Sequence, residues 1–216
     1  MTKKRCRHHV NPLNYRPEPE VPDWSKVFAF PSRPLEVDVG CSKGTFLLAR
    51  AQQAPDRNLV GLEIRGPMVE RTRSDARKLG VANVHVILAN ANSDFERLFA
   101  PSSVDRVYVH FPDPWFKTKH HKRRVVTRAF LDVLASRLKP GGELHFMTDY
   151  EEYAADASAL IEAHPAFENA HGPGAMVREP LVPGVLSDRE AWHMSQNDPV
   201  FRYLFRARGP AEGISP

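Results

Sequence analysis

Asp113 stands between two prolines in the stretch Val107-Tyr-Val-His-Phe-Pro-Asp-Pro-Trp-Phe-Lys-Thr-Lys-His-His-Lys-Arg-Arg124. An apolar run here gives way to one acid, two aromatics and a dense basic cluster. β-Branched and aromatic residues from Val104 to Phe111 suit a strand, and Pro112 and Pro114 end its ladder and stiffen the turn that carries the carboxylate. Taken singly, an acid in a proline-flanked turn is ordinary turn chemistry, and a run such as His120 to Arg124 is an ordinary solvated patch or localisation signal. Together, with Trp115 and Phe116 between acid and base, they describe an apolar platform beside phosphate contacts, the environment an unstacked nucleobase needs. Trp115 has two readings, stacking on a base or buried packing.

A second constellation lies upstream. In Leu35-Glu-Val-Asp-Val-Gly-Cys-Ser-Lys-Gly44, Gly40 and Gly44 let the chain turn closely over a ligand and start a helix, with Asp38 just before the turn. Gly61-Leu-Glu-Ile64 ends a strand on Glu63, a position that binds a ribose diol in many nucleotide sites and cannot by itself separate a nicotinamide cofactor from S-adenosylmethionine. The glycine loop separates them: a dinucleotide site wants G-x-G-x-x-G to cradle a pyrophosphate, whereas here residue 42 is Ser and an acid stands close by. That acid suits a cationic amino-acid moiety. Asn90, at a third strand end, offers both an acceptor and a donor to an adenine edge, although a turn-forming Asn reads the same way. Asp38, Gly40, Glu63 and Asn90 on successive strand ends point to a methyl-donor pocket.

The elements that must hold these residues follow from hydrophobic periodicity. Apolar runs alternate with helical patterns: Leu35 to Val39 then Thr45 to Gln53, Leu59 to Ile64 then Met68 to Leu79, Val84 to Ala89 then Asp94 to Phe99. Val104 to Phe111 then Val125 to Leu138 follow, and Glu143 to Thr148 then Tyr150 to Ala163. Five strand–helix units in series predict an α/β fold with a parallel sheet covered by helices on both faces, because parallel strands require crossovers. Lys139-Pro-Gly-Gly142 reads as the turn between the fourth of these helices and the fifth strand. Beyond Ala163 the pattern weakens into an irregular, substrate-facing segment, and Val200 to Phe205 reads as a last strand. One domain over 24–208 is expected, with a basic, proline-rich arm over 1–23 and a short tail over 209–216, both mobile.

Composition bounds the function. Thirty Lys and Arg against 26 Asp and Glu give a net charge of +4, an excess concentrated at Lys3 to His9 and Lys117 to Arg128 that suits a polyanionic partner. Two cysteines, Cys6 and Cys41, are too few for a disulfide framework, and no histidine spacing describes a metal site, so a reducing cytoplasm and no metal are expected. No apolar run approaches the roughly 20 residues of a membrane-spanning helix, and the basic N-terminus lacks the apolar core of a secretion signal. A membrane association is not expected.

From about Leu35 to Arg206 the chain resembles the tRNA (guanine-N7)-methyltransferase family of the single-chain bacterial type. The resemblance rests on Asp38-Val-Gly-Cys-Ser-Lys-Gly44, Gly61-Leu-Glu-Ile64, Phe111-Pro-Asp-Pro-Trp-Phe-Lys117 with Lys122-Arg-Arg124, and His145-Phe-Met-Thr-Asp149. It implies a Rossmann-like class I methyltransferase, a seven-stranded, mostly parallel sheet with a last antiparallel strand. It also implies transfer of a methyl group from S-adenosylmethionine to N7 of guanine 46 in the tRNA variable loop, with tRNA as partner and no obligatory protein partner evident. Position by position, it implies donor binding by Asp38, Gly40, Glu63 and Asn90, and a catalytic or donor-proximal role for Asp113. It implies substrate binding by Lys117, Asp149, Ser187, Asp188, Arg189 and Glu190; the charge of the basic run itself makes Lys122, Arg123 and Arg124, with Lys117, the expected phosphate contacts. Three positions depart from the family pattern, which has Glu at 38, often Asp at 90, and Thr-x-x-Glu where Ser187-x-x-Glu190 stands. Each replacement keeps an oxygen in place, so donor affinity rather than reaction type is what they alter.

Guanine N7 carries a lone pair and no proton, so attack on a sulfonium needs placement and exclusion of water rather than a general base. The absence of a Cys–His or Ser–His pairing agrees with that. The guanine N1–H and amino group are donors that call for acceptors, for which Asp149 and Glu190 are the candidates. Rival readings are a methyltransferase for an exocyclic amine, suggested by Pro112-Asp-Pro-Trp115, a nicotinamide oxidoreductase, and a non-catalytic RNA-binding domain on the same fold.

Overall fold

The computed structural model describes residues 10–15 and 18–209. In chain order they form α1 (Trp24–Val27), β1 (Leu35–Val39), α2 (Thr45–Gln53), β2 (Asn58–Glu63), α3 (Gly66–Leu79), β3 (Val84–Leu88) and α4 (Ala91–Leu98). Then come β4 (Val104–His110), α5 (Arg128–Arg137), β5 (Leu138–Thr148), α6 (Glu151–Glu162), β6 (Phe167–Asn169), α7 (Asp188–Gln196) and β7 (Phe201–Ala207). A single 3-10 turn occupies Pro12–Asn14, and a six-residue 3-10 helix Thr118–Arg123. The seven strands lie in the order β3-β2-β1-β4-β5-β7-β6, the first five parallel and β7 antiparallel to both β5 and β6. The strand order reverses between β1 and β4, which opens a crevice at their carboxyl ends.

Burial on both faces explains why the central strands read as near-continuous apolar runs. Phe95, Phe99, Phe130, Leu134, Tyr153 and Ile161 pack one face, while Leu47, Ala51, Val69 and Phe46 cover the other. Gly61 is required there: a Cβ would stand 2.6 Å from Leu47 Cδ2 and 2.8 Å from the Cys41 sulfur. Under α2 the sheet carries a polar layer. Glu36, fully buried, accepts two bonds from Arg50 and one at 2.7 Å from the Tyr108 hydroxyl, with Arg57 and Arg106 also close.

Several expectations change in detail. Lys139–Gly142 does not separate α5 from β5; it is an excursion within β5, since Leu138 pairs with Val104 and pairing resumes at Glu143 with Arg106. The segment expected to be irregular contains β6 and the nine-residue α7. Part of the expected arm is docked: the Tyr15 hydroxyl donates to Leu88 O at 2.7 Å and Asn90 Nδ2 to Pro12 O at 3.1 Å. Lys3 to His9, Cys6 and the tail from 210 onward lie outside the described residues. Among the described residues no helix is long and apolar enough to cross a membrane.

Candidate functional site

A cleft of about 500 Å³ opens at the crevice between β1 and β4. Its wall includes Asp38 and Gly40 at the end of β1, Glu63 at the end of β2, Asn90 after β3, and His110 with Asp113 at the exit of β4. Arg123, Ser187, Asp188 and Arg189 close the opposite side, with Val10 and Pro12 of the N-terminal segment. Residues far apart in sequence thus converge because four parallel strands end at one edge.

The first turn is shaped by backbone conformation. Gly40, Ser42 and Gly44 all have positive φ, at 76°, 52° and 78°, and Gly44 caps α2 in the left-handed region where a Cβ would stand 2.2 Å from Thr72 Cγ2. At Gly40 a Cβ would meet nothing within 4 Å, so the floor of the cleft is open. Asp38 is buried, and its carboxyl is pushed up to about 7, first by loss of solvent and then by the charge of Glu63. Glu63 accepts from the Ser42 and Arg65 backbone N–H groups, both at 2.9 Å, and from the Arg65 guanidinium through Nε and Nη2. Those four bonds use all of its lone-pair directions. The Asn90 side chain caps α4 by accepting from Asn92 N–H and holds Pro12, leaving one lone pair and one N–H.

At the exit of β4, Phe111 and Trp115 have positive φ, 48° and 46°, so Asp113 sits on a turn bracketed by two strained aromatic residues and two prolines. Each such conformation costs about 1–3 kcal/mol and persists only where the surroundings hold it. Arg124 is what holds it. Expected to contact phosphate, its guanidinium is instead 6% exposed. It donates to Pro114 O at 2.8 Å, pairs with Asp156 at 2.8 Å and lies 4.4 Å over the Tyr153 ring. Arg123 does reach the cleft, with its guanidinium 4.9 Å from the Trp115 ring centroid. Lys117 and Lys122 are exposed beside it.

The Ser187–Glu190 segment is the start of α7. Ser187 Oγ accepts from Glu190 N–H as the N-cap, and Asp188 meets Lys43 at 2.8 Å and Thr45 at 3.0 Å, which fastens α7 to the start of α2. Arg189 pairs with Asp149 at 2.7 Å and lies over Phe111, and His193 also meets Asp149 at 3.0 Å. Glu190, the other candidate acceptor for a base, is 2% exposed and bound to Arg202 Nε at 2.7 Å, pinning α7 to β7.

Sequence reasoning missed His110. Both of its ring nitrogens lack a hydrogen-bond partner among the described residues, and neither reaches solvent. An unsatisfied buried polar group costs about 1–3 kcal/mol, and Arg123 Nε is in the same position. The only signal in the sequence was a histidine closing the apolar run Val107-Tyr-Val109 at the end of β4.

A family model whose description reads "Putative methyltransferase" matches residues 32–203. A tRNA (guanine-N(7)-)-methyltransferase of Synechococcus sp. (strain JA-2-3B'a(2-13)) is 40% identical over 207 residues, 94% of this chain and 85% of that protein. One of Synechocystis sp. (strain ATCC 27184 / PCC 6803 / Kazusa) is 38% identical over 95% of this chain and 99% of its own. Among solved structures, the antibiotic-resistance methyltransferase Kmr superposes with a TM-score of 0.56 at 18% identity, covering 87% of this chain and 91% of that one. An rRNA methylase from Streptococcus thermophilus gives 0.54 at 14% identity, with 86% and 92% covered. At such identities the two structures speak to the fold alone.

Proposed function

The chain belongs to the tRNA (guanine-N7)-methyltransferase family, and from that premise we propose that it methylates N7 of guanine 46 in the variable loop of tRNA. Its sheet has the class I methyltransferase form. The observation that carries the reading is that the Asp113 turn and the strand-end acids Asp38 and Glu63 face one cleft.

The donor set suits S-adenosylmethionine. Two acids on successive strand ends answer an ammonium and a ribose diol, the open floor at Gly40 leaves room for a ligand, and His110 brings orphaned polar atoms to the wall. When bound, this donor supplies an electrophilic methyl group on a sulfonium. Asp38 would take the ammonium. Glu63 would take the diol in exchange for the two side-chain bonds from Arg65, keeping both backbone N–H bonds. Asn90 keeps one acceptor and one donor for an adenine edge. Asp113, fixed by Arg124 through Pro114, would stabilise the positive charge that grows on the purine as N7 is alkylated. Asp149, which reaches the cleft wall through its pair with Arg189, is the acceptor proposed for the guanine N1–H and amino group, with Ser187, Asp188 and Arg189 in the wall itself. Lys117, Lys122 and Arg123 would hold phosphates, supplying salt-dependent affinity without reading sequence. The cytoplasm is the compartment we propose.

Two measurements follow from these assignments. Asp38 must be ionised to hold an ammonium, and in the free protein it is half protonated near pH 7. Affinity for S-adenosylhomocysteine should therefore fall as pH drops below that value, by up to about tenfold per unit, while 5′-methylthioadenosine, which has no ammonium, binds with a flat profile. Calorimetric titration between pH 5.5 and 8 reads both. Separately, Lys117→Ala with Lys122→Ala should weaken tRNA binding and reduce the slope of log affinity against log salt by about one for each phosphate no longer neutralised. An unchanged slope would remove both lysines from the phosphate set.

The finer claim, position 46, is tested by borohydride reduction and aniline cleavage of tRNA treated with the enzyme, because N7 alkylation weakens the imidazole ring at the modified base alone. Cleavage at one guanine in the variable loop is expected; cleavage elsewhere would overturn the positional assignment.

A further inference from the structure

His110 is the last residue of β4, one step beyond the Val39–Val109 pair and beside the turn at Gly40. Side chains alternate along a strand, so His110 shares with Tyr108 the sheet face that α2 covers, and both rings pack against Phe46, at 4.5 and 4.8 Å. Asp38 pairs laterally with Tyr108 in the register of β1 and β4. The histidine and the buried acid therefore meet the cleft from neighbouring strand ends, at the corner made by the first turn and the start of α2.

Both ring nitrogens of His110 are shielded from water and have no partner among the described residues, although its ring forms part of the cleft wall. A half-turn of the ring exchanges its carbon and nitrogen positions, so a nitrogen can face the cleft without any backbone change. Burial, with His145 and Arg202 nearby, keeps the ring well below the ordinary histidine range and hence neutral. A neutral imidazole offers one N–H donor and one acceptor. Resting on the reading that Asp38 holds the ammonium of the methyl donor, we propose that His110 donates a hydrogen bond to the α-carboxylate of that same amino-acid end. An α-amino acid carries its carboxylate one carbon from its ammonium, so the carboxylate must be met by a donor adjacent to the acid that takes the cation. Two side-chain donors near that corner, Lys43 and Thr45, are engaged by Asp188. Among the described residues that line the cleft, Arg123 Nε is the other buried side-chain donor without a hydrogen-bond partner, and its guanidinium is stacked over Trp115.

Calorimetric titration without tRNA tests this, with S-adenosylmethionine and its decarboxylated analogue, which keeps the nucleoside, sulfonium and ammonium and lacks only the carboxylate. His110→Phe should lose about tenfold or more in affinity for S-adenosylmethionine, as expected for a bond to a charged group, and bind the analogue as the unaltered protein does. His110→Gln, whose amide retains an N–H donor, should keep most of the affinity for S-adenosylmethionine. The analogue's affinity doubles as the check that each variant is folded. Equal loss of both ligands in the Phe and Gln variants, or no loss of either, overturns the assignment, as does carboxylate discrimination that disappears in Arg123→Leu instead. If the unaltered protein binds neither ligand, the donor reading itself falls, and that outcome is distinct from a failure of His110 alone.

Discussion

Replacing Asp113 by alanine is expected to lower the rate of methyl transfer by about 10²- to 10³-fold, the scale on which removing one preorganised charge-stabilising group acts. Binding of tRNA should change little, because phosphate contacts supply most of that affinity and come from other residues. The cause is geometric. Positive φ at Phe111 and Trp115, two prolines and the Arg124 bond to Pro114 O hold one carboxylate at the exit of β4. A carboxylate that need not reorganise stabilises charge as it develops on the purine ring. Single-turnover rates at saturating donor, beside tRNA binding by filter retention, separate the two quantities. Parallel loss of both would show that Asp113 holds the turn together rather than acting on the reaction.

Replacing Glu36 by alanine is expected to cost about 3–5 kcal/mol of folding stability, the usual result of stripping the partner from buried charge. Against a total of about 5–15 kcal/mol for a single domain, that is a large fraction. Arg50 would lose two hydrogen bonds and the Tyr108 hydroxyl its acceptor, in a layer closed to water by α2. Burial alone would raise the Glu36 carboxyl, but the bonds from Arg50 and Tyr108 and the charge of Arg106 outweigh it and hold the group below the usual range. Its contribution is accordingly present above the unfolded carboxylate range and lost as pH falls through the lower folded value. Thermal unfolding at neutral pH should shift down by about 6–20 °C for a domain of this size; a drop of under about 2 °C would contradict this role for Glu36.

Strand–helix alternation was legible because the central strands are buried on both faces and spell apolar runs such as Leu59-Val-Gly-Leu62. Glu63 stood out as the charge that closes the run Leu59-Val-Gly-Leu62, and Asp38 as an acid two residues before the glycine turn that follows β1. By contrast, α7 was hidden: Asp188-Arg-Glu-Ala-Trp-His-Met-Ser-Gln196 is polar on most of its surface, and Ser187 with Glu190 is a helix-start signature that reads equally well as a substrate motif. β6 is three residues long, too short for any period to show. Roles set by distant partners were not readable at all. Arg124 belongs to a basic run in sequence, and only the fold brings it to Asp156 and Tyr153; Glu190 meets Arg202 for the same reason. For His110 the decisive fact is which partners are missing, and that is a property of packing.

N7 methylation itself is decided by incubating the purified protein with labelled S-adenosylmethionine and unmodified tRNA, digesting to nucleosides and identifying the labelled product. The expected product is 7-methylguanosine, formed by the unaltered protein and nearly absent with Asp113→Ala. Label in a base methylated on its exocyclic amine, or tRNA binding with no labelled nucleoside, would contradict the proposed activity.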